Sequence, residues 1–197
     1  HFSSLKNKKI MSEEVNMILE ESTEGMQNAI SHLNQELSKV RAGRANPSML
    51  DTVRVDYYSS PTPLSQVANV STLDSRTLTV QPWEKSLLDE ISKAIINANL
   101  GLNPQNNGEL IIISVPVLTE DRRKDLVKKA KAEGEHAKVG VRSQRKDAND
   151  MVKSLKDDGF GEDAIKDAEL EVQNLTNKYI AKIDELVSIK ESDIMKV

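Results

Sequence analysis

Ten lysines and arginines stand between Arg122 and Lys146 against three acids, Asp125, Glu133 and Glu135, a local balance of +7. The whole chain carries −4, and residues 147–197 hold seven Lys/Arg against thirteen Asp/Glu, so the average conceals a strong split. Placed on a helix at about 100° per residue from Lys124, Lys128 falls at about +40°, Lys131 at about −20° and Lys138 at about −40°. Arg142 returns to about 0°, Arg145 lies at about −60° and Lys146 at about +40°. These seven cations share one face over roughly 100° of arc, and Glu135 is the only acid among them. The chemistry open to such a face is phosphate binding, because Lys and Arg displace counterions from a polyanion and hold it by its backbone. The alternative is a merely solvated face, but those usually mix signs, with acids one turn away from their lysines. Aromatics make up only 3% of the chain, which argues against stacking of single-stranded bases and for a structured RNA read by shape and phosphate.

Other chemistry is scarce. The chain has no cysteine, which excludes disulfides, thiolate zinc sites and thiol nucleophiles and fits a reducing compartment. The three histidines, His1, His32 and His136, lack the His-Glu-x-x-His spacing and read as structural or solvated. Gly159-Phe160-Gly161 precedes a helix as a phosphate loop would, but Glu162 and Asp163 occupy the first turn, where an anion would have to sit. That segment therefore reads as a helix–helix turn. No Walker sequence and no Gly-x-Ser-x-Gly elbow occur, and the carboxylates are scattered over polar helix faces. The expectation is a binding protein rather than an enzyme, with no catalytic residue, no metal and no cofactor. No apolar run approaches the roughly 18 residues of a membrane span.

The elements that must position the cationic face follow from apolar spacing. Ser12-Glu13-Glu14 opens a helix whose apolar seam runs through Val15, Leu19, Met26, Ala29 or Ile30, Leu33, Leu37 and Val40 to about Ala42. Gly43 and Asn46-Pro47 end it. Thr52–Tyr58 alternates as a strand, Ser59-Ser60-Pro61-Thr62-Pro63 reads as a turn, and short strands are expected near Gln66–Val70 and Thr77–Gln81. Lys85–Asn99 has helical spacing, stopped by Gly101 and Pro104, and Leu110–Val115 reads as a buried strand after the Asn107-Gly108 turn. Thr119-Glu120-Asp121-Arg122 caps a second long helix with a near-heptad seam at Val127, Ala130, Gly134, Ala137, Val141, Ala148, Val152 and Leu155. A third runs from about Glu162 with Ile165, Ala168, Val172, Leu175, Tyr179, Ile183 and Leu186 on one face.

Three long amphipathic helices must bury their seams against one another, which predicts a three-helix bundle. The expected fold is α+β: an elongated bundle of residues 11–43 and 117–197, interrupted by a small β/α/β domain at 44–116. Residues 1–10 are read as an extension or tag outside the fold. If the first two long helices are antiparallel neighbours, the inserted domain hangs from one end through a double hinge. Its strands are Gly43, Arg44 and Ala45 on one side and Pro116, Val117, Leu118 and Thr119 on the other. With five basic and seven acidic residues, the small domain is a poor RNA surface and reads as a lever contacting protein.

Several stretches, in order, resemble one family. They are Lys39-Val40-Arg41-Ala42-Gly43-Arg44-Ala45-Asn46-Pro47, Tyr57-Tyr58 with Pro61-Thr62-Pro63-Leu64, and Asp74-Ser75-Arg76-Thr77-Leu78. Then follow Leu100-Gly101-Leu102-Asn103-Pro104, Leu118-Thr119-Glu120-Asp121-Arg122-Arg123-Lys124-Asp125-Leu126, and Val141-Arg142-Ser143-Gln144-Arg145-Lys146-Asp147-Ala148-Asn149. From about Met11 to Val197 the chain is similar to the ribosome recycling factors. The resemblance implies an L-shaped protein whose three-helix domain lies against large-subunit rRNA of the post-termination ribosome. It implies subunit splitting together with elongation factor G and the GTP which that partner hydrolyses. By the same resemblance the rRNA contacts fall on Arg122, Arg123, Arg142 and Arg145, with Arg41 a further candidate and Lys124, Lys128, Lys131 and Lys138 as electrostatic support. Lys146 stands where relatives often carry arginine, keeping the charge and losing the bidentate fork. A monomer in the bacterial cytosol is expected, or in an organelle if residues 1–10 belong to a transit peptide. The rival reading is a helical-bundle adaptor or chaperone that binds protein through its seam.

Overall fold

The computed structural model describes residues 2–40 and 43–196, the side chain of Phe2 excepted. Two compact units make up the chain, His1–Val40 with Arg123–Val197, and Arg41–Arg122.

Three long helices form the first unit: α1 (Phe2–Lys39), α3 (Glu120–Ser154) and α4 (Glu162–Met195). The start of α1 differs from the sequence expectation. Ser12 is not a cap, and the helix continues back to Phe2 because residues 2–11 contain neither glycine nor proline to break it. Residues 3–10 are exposed along this stretch. Ile18, Ser22, Met26, Leu33 and Leu37 are buried on α1, and Val40 just after its end. On α3 the buried row is Leu126, Ala130, Gly134, Ala137, Val141, Ala148 and Val152. Ile165, Ala168, Val172, Thr176, Tyr179, Ile183 and Ile194 make the corresponding row on α4. Ile18, Ala148, Val152, Leu155, Ile165, Ala168 and Val172 meet in one cluster drawn from all three helices. Each fully buried aliphatic side chain of this kind contributes about 1.5–3 kcal/mol.

Two polar residues sit inside these rows. Ser22 donates to the Ile18 carbonyl at 2.7 Å and Thr176 to the Val172 carbonyl at 2.8 Å, so each hydroxyl is satisfied by its own helix. At the α3–α4 turn Gly159 adopts φ +90, a left-handed value, which ends a helix at low cost only for glycine.

In the second unit β1 (Arg54–Tyr57) pairs antiparallel with β2 (Ser60–Pro63). A four-stranded antiparallel sheet has the order β3-β4-β6-β5, from β3 (Ala68–Asp74), β4 (Thr77–Pro82), β5 (Asn103–Asn106) and β6 (Ile111–Ser114). Helix α2 (Leu88–Asn97) buries Leu88, Ile91 and Ile95 in the core with Val55, Leu78, Val80, Ile111 and Ile113. Two strands were not expected. Ser60–Pro63 falls in the expected turn at 59–63, and Asn103–Asn106 follows the helix stop expected at Gly101 and Pro104; Pro61, Pro63 and Pro104 cannot donate to a ladder. Both are edge strands, where a missing donor is tolerated.

Candidate nucleic-acid interface

Helix α3 starts where Thr119 Oγ1 accepts a hydrogen bond from the Arg122 backbone N–H at 3.1 Å, and Glu120 and Asp121 fill its positive end. The buried row fixes the rotation of the helix, and the rotation sorts the cations. Arg122, Lys124, Lys128, Lys131, Arg142 and Lys146 are exposed, whereas Arg123, Lys138 and Arg145 are half-buried. The guanidinium Nε of Arg123 is buried without a hydrogen-bond partner. Arg41 lies outside the described residues.

Electrostatics divides the face further. Lys138 reaches Asp184 of α4 at 2.6 Å and Glu135 at 3.5 Å, and its side chain is only 17% exposed. The hydrogen bond that its ammonium donates to the Asp184 carboxylate is the main cause holding its pKa above the usual lysine range. Lys131 lies 4.0 Å from Glu191 of α4. These two cations are therefore wholly or partly neutralised by the acidic third helix. Arg142, Arg145 and Lys146 occupy one turn, and among the described residues no carboxylate lies within ion-pair distance of them or of Lys128. Spacing within α3 gave the face. The α4 carboxylates that thin it were invisible until the helix packing was known.

A neutral replacement at Lys138 follows from this. Lys138→Met is expected to change affinity for a structured RNA by less than about twofold, whereas Arg142→Ala weakens it about tenfold. Filter binding of both variants to purified ribosomal particles checks the contrast.

The segments read as a hinge meet inside the second unit. The Ala45 N–H donates to the Ser75 carbonyl at 2.8 Å and the Val115 N–H to the Arg76 carbonyl at 2.7 Å. Both chain crossings are thus tied to the β3–β4 turn. That turn is pinned by Asp74, whose carboxylate accepts from the Arg76 N–H at 2.9 Å. Gly43 has φ +75, and a Cβ there would fall 2.7 Å from Leu118 Cγ. Arg44 is exposed beside it, as are Pro116, Val117 and Thr119 on the second crossing. The two remaining histidines of interest, His32 and His136, put their rings 6.0 Å apart across α1 and α3. No group of three or more metal-ligating side chains exists among the described residues.

Fold and surface together define a class, a helical-bundle protein with an inserted antiparallel sheet unit. The sequence model of one family, the ribosome recycling factor, matches residues 33–195. A relative from Flavobacterium johnsoniae, a ribosome-recycling factor, is 58% identical over 187 residues, covering 95% of this chain and 100% of the relative. A solution structure of the ribosome recycling factor superposes with a TM-score of 0.72 at 34% identity, covering 93% of this chain and 98% of that one. A second structure has a TM-score of 0.60 at 41% identity, covering 92% and 99%. It contains models of the T. thermophilus ribosome recycling factor and the E. coli elongation factor G bound to the E. coli post-termination complex. The chain belongs to the ribosome recycling factor family, and it is a non-enzymatic factor of ribosome recycling in protein biosynthesis.

Proposed function

We propose that this protein binds the post-termination ribosome through the α3 face of its helical unit, laid on phosphates of large-subunit rRNA. With elongation factor G and the GTP that partner hydrolyses, it splits the subunits and frees the mRNA. The observation that carries the reading is the one-turn cluster of Arg142, Arg145 and Lys146, which has no carboxylate partner among the described residues of an otherwise acidic protein. Support for the partners comes from the related factor placed with elongation factor G on a post-termination complex. The bacterial source of its relatives supports a bacterial cytosol as the working compartment, and no helix among the described residues is long and apolar enough to cross a membrane.

The test is subunit splitting by the purified chain, measured with and without elongation factor G and GTP. Splitting that needs neither partner, or fails with both, overturns the reading. Adaptor binding through an apolar seam would survive added salt. Binding through several phosphates weakens steeply, with log K falling by roughly 0.7–0.9 per phosphate for each decade of salt.

The sheet unit, with five basic and seven acidic residues between 44 and 116, acts in this proposal as a lever pushed by the protein partner. Gly43 and Leu118 lie together where the two chain crossings meet. Gly43→Val puts a branched side chain at a left-handed φ and against Leu118. The expected result is ribosome binding within about twofold of the parent and splitting slowed about tenfold, because a hinge residue sets the conformational step rather than the docking. Light-scattering kinetics measured beside equilibrium binding separate the two effects, and unchanged kinetics would sink the lever.

A further inference from the structure

The sheet unit holds a cavity that the cationic face leaves unexplained. It measures about 310 Å³ and is lined by Tyr57, Thr62, Val67, Trp83, Glu84 and Leu87 among others. The chain has six aromatic residues. Two line this cavity and a third, Tyr58, meets Tyr57 edge-on with ring centroids 4.5 Å apart. Trp83 is 68% exposed and Tyr58 81%. Tyr57 pairs with Ser60 across a two-residue turn in which Tyr58 has φ 48 and Ser59 φ 64. Non-glycine residues held at such angles store strain that the surroundings must sustain, and clusters of this kind gather at binding sites. Exposed Trp and Tyr on a chain this poor in aromatics is also the composition of an interaction hot spot.

The chemistry of the lining selects the occupant. Glu84 accepts one hydrogen bond, from the Tyr57 phenol at 3.2 Å. Among the described residues no Lys or Arg pairs with it. Arg54, on the same strand as Tyr57, is engaged elsewhere, donating to the Asp51 and Val53 carbonyls at 2.8 and 3.2 Å. An apolar ligand would cover the Glu84 carboxylate without a counter-charge. A nucleotide would bring phosphates towards that carboxylate, in a unit that is already net acidic. A long aliphatic stem ending in a planar cation meets every part of the lining at once: apolar Val67 and Leu87, aromatic Trp83 and Tyr57, and anionic Glu84. Arginine suits it better than lysine, because the guanidinium both stacks on rings and forks onto a carboxylate.

We propose that this cavity receives a single arginine side chain presented by a partner protein, with Glu84 as its counter-charge and Trp83 and Tyr57 as its aromatic walls. The proposal is independent of the rRNA reading of α3, since no residue is shared.

Trp83 is the only tryptophan, so its indole N–H signal in ¹⁵N NMR of the full chain reports on the cavity alone. The probe is N-acetyl-arginine-N-methylamide, with the norleucine analogue as an uncharged control. A saturable shift of the indole signal with the arginine probe is expected at millimolar concentrations, with no comparable shift from norleucine. Glu84→Gln should weaken the arginine probe about tenfold, the effect of losing a charge-assisted hydrogen bond. Arg142→Ala should leave it unchanged. An indole signal that does not saturate overturns the proposal. Equal responses to both probes make the cavity merely apolar and also overturn it, as does saturation by oligothymidylate in place of the arginine probe.

Discussion

Changing Arg142 and Arg145 together to glutamate is expected to lower affinity for the ribosome at least a hundredfold while the protein stays folded. Each guanidinium that meets a phosphate contributes roughly tenfold through counterion release and charge-assisted hydrogen bonding. Reversal adds repulsion to that loss, because two positive groups become two negative ones on a single turn. Stability should fall by no more than about 1 kcal/mol, since Arg and Glu have similar helix propensities and surface changes away from specific contacts are small. Arg142 is exposed, Arg145 is half-buried, and neither is in an ion pair among the described residues that the change would break. Co-sedimentation with ribosomes over a salt series, beside a thermal melt, measures both. The gap between parent and variant should narrow as salt rises, because the parent loses the attraction that the variant already lacks. Pelleting of the double variant at parental levels in low salt would refute the site. Lys138→Met is the control for nonspecific charge loss: it removes a cation that Asp184 already neutralises at 2.6 Å.

The difference between Arg142 and Lys138 marks what could be read from the chain alone. Periodicity within one helix is a local property, so the seam of α3 and the angular position of every cation on it were legible. Neutralisation of Lys138 and Lys131 depends on Asp184 and Glu191, which are far away in sequence and meet them only through the packing of α4 on α3. The same limit explains the other departures. Ser22 and Thr176 left gaps in the apolar patterns of α1 and α4, yet each is buried because the carbonyl four residues earlier takes its hydroxyl. Prolines at 61, 63 and 104 suppressed two strands whose edge positions in their sheets made those prolines harmless. The cavity at Trp83 had no sequence signal, because its walls come from Tyr57 and Glu84, brought together only by the fold.

The second large effect concerns the packing that holds the cationic face in place. A helical glycine costs about 1 kcal/mol relative to alanine, so Gly134 in the middle of α3 requires a compensating contact. The structure provides one: a Cβ at Gly134 would fall 2.6 Å from Val187 Cγ2 and 3.8 Å from Ile183 Cγ2, both on α4. Ile183 is fully buried and Val187 is half-buried, so only Val187 has room to turn aside. Gly134→Leu places a four-carbon side chain where a methyl alone already displaces Val187, and should destabilise the helical unit by about 3 kcal/mol, lowering its melting temperature by roughly 10 °C. Gly134→Ala is a subtler case. Its gain in helix propensity opposes the displacement of half-buried Val187, which can turn about χ1, and the net change should stay within about 1 kcal/mol. Val187→Ala resolves the two terms. If close approach is what glycine serves, the alanine at 134 fills the space that Val187 vacates. The double variant then exceeds the sum of the single changes by about 1 kcal/mol. Additive behaviour in far-UV circular dichroism melts would mean that the contact does not govern the site. In that event Gly134 would be a helix weakness without a packing role.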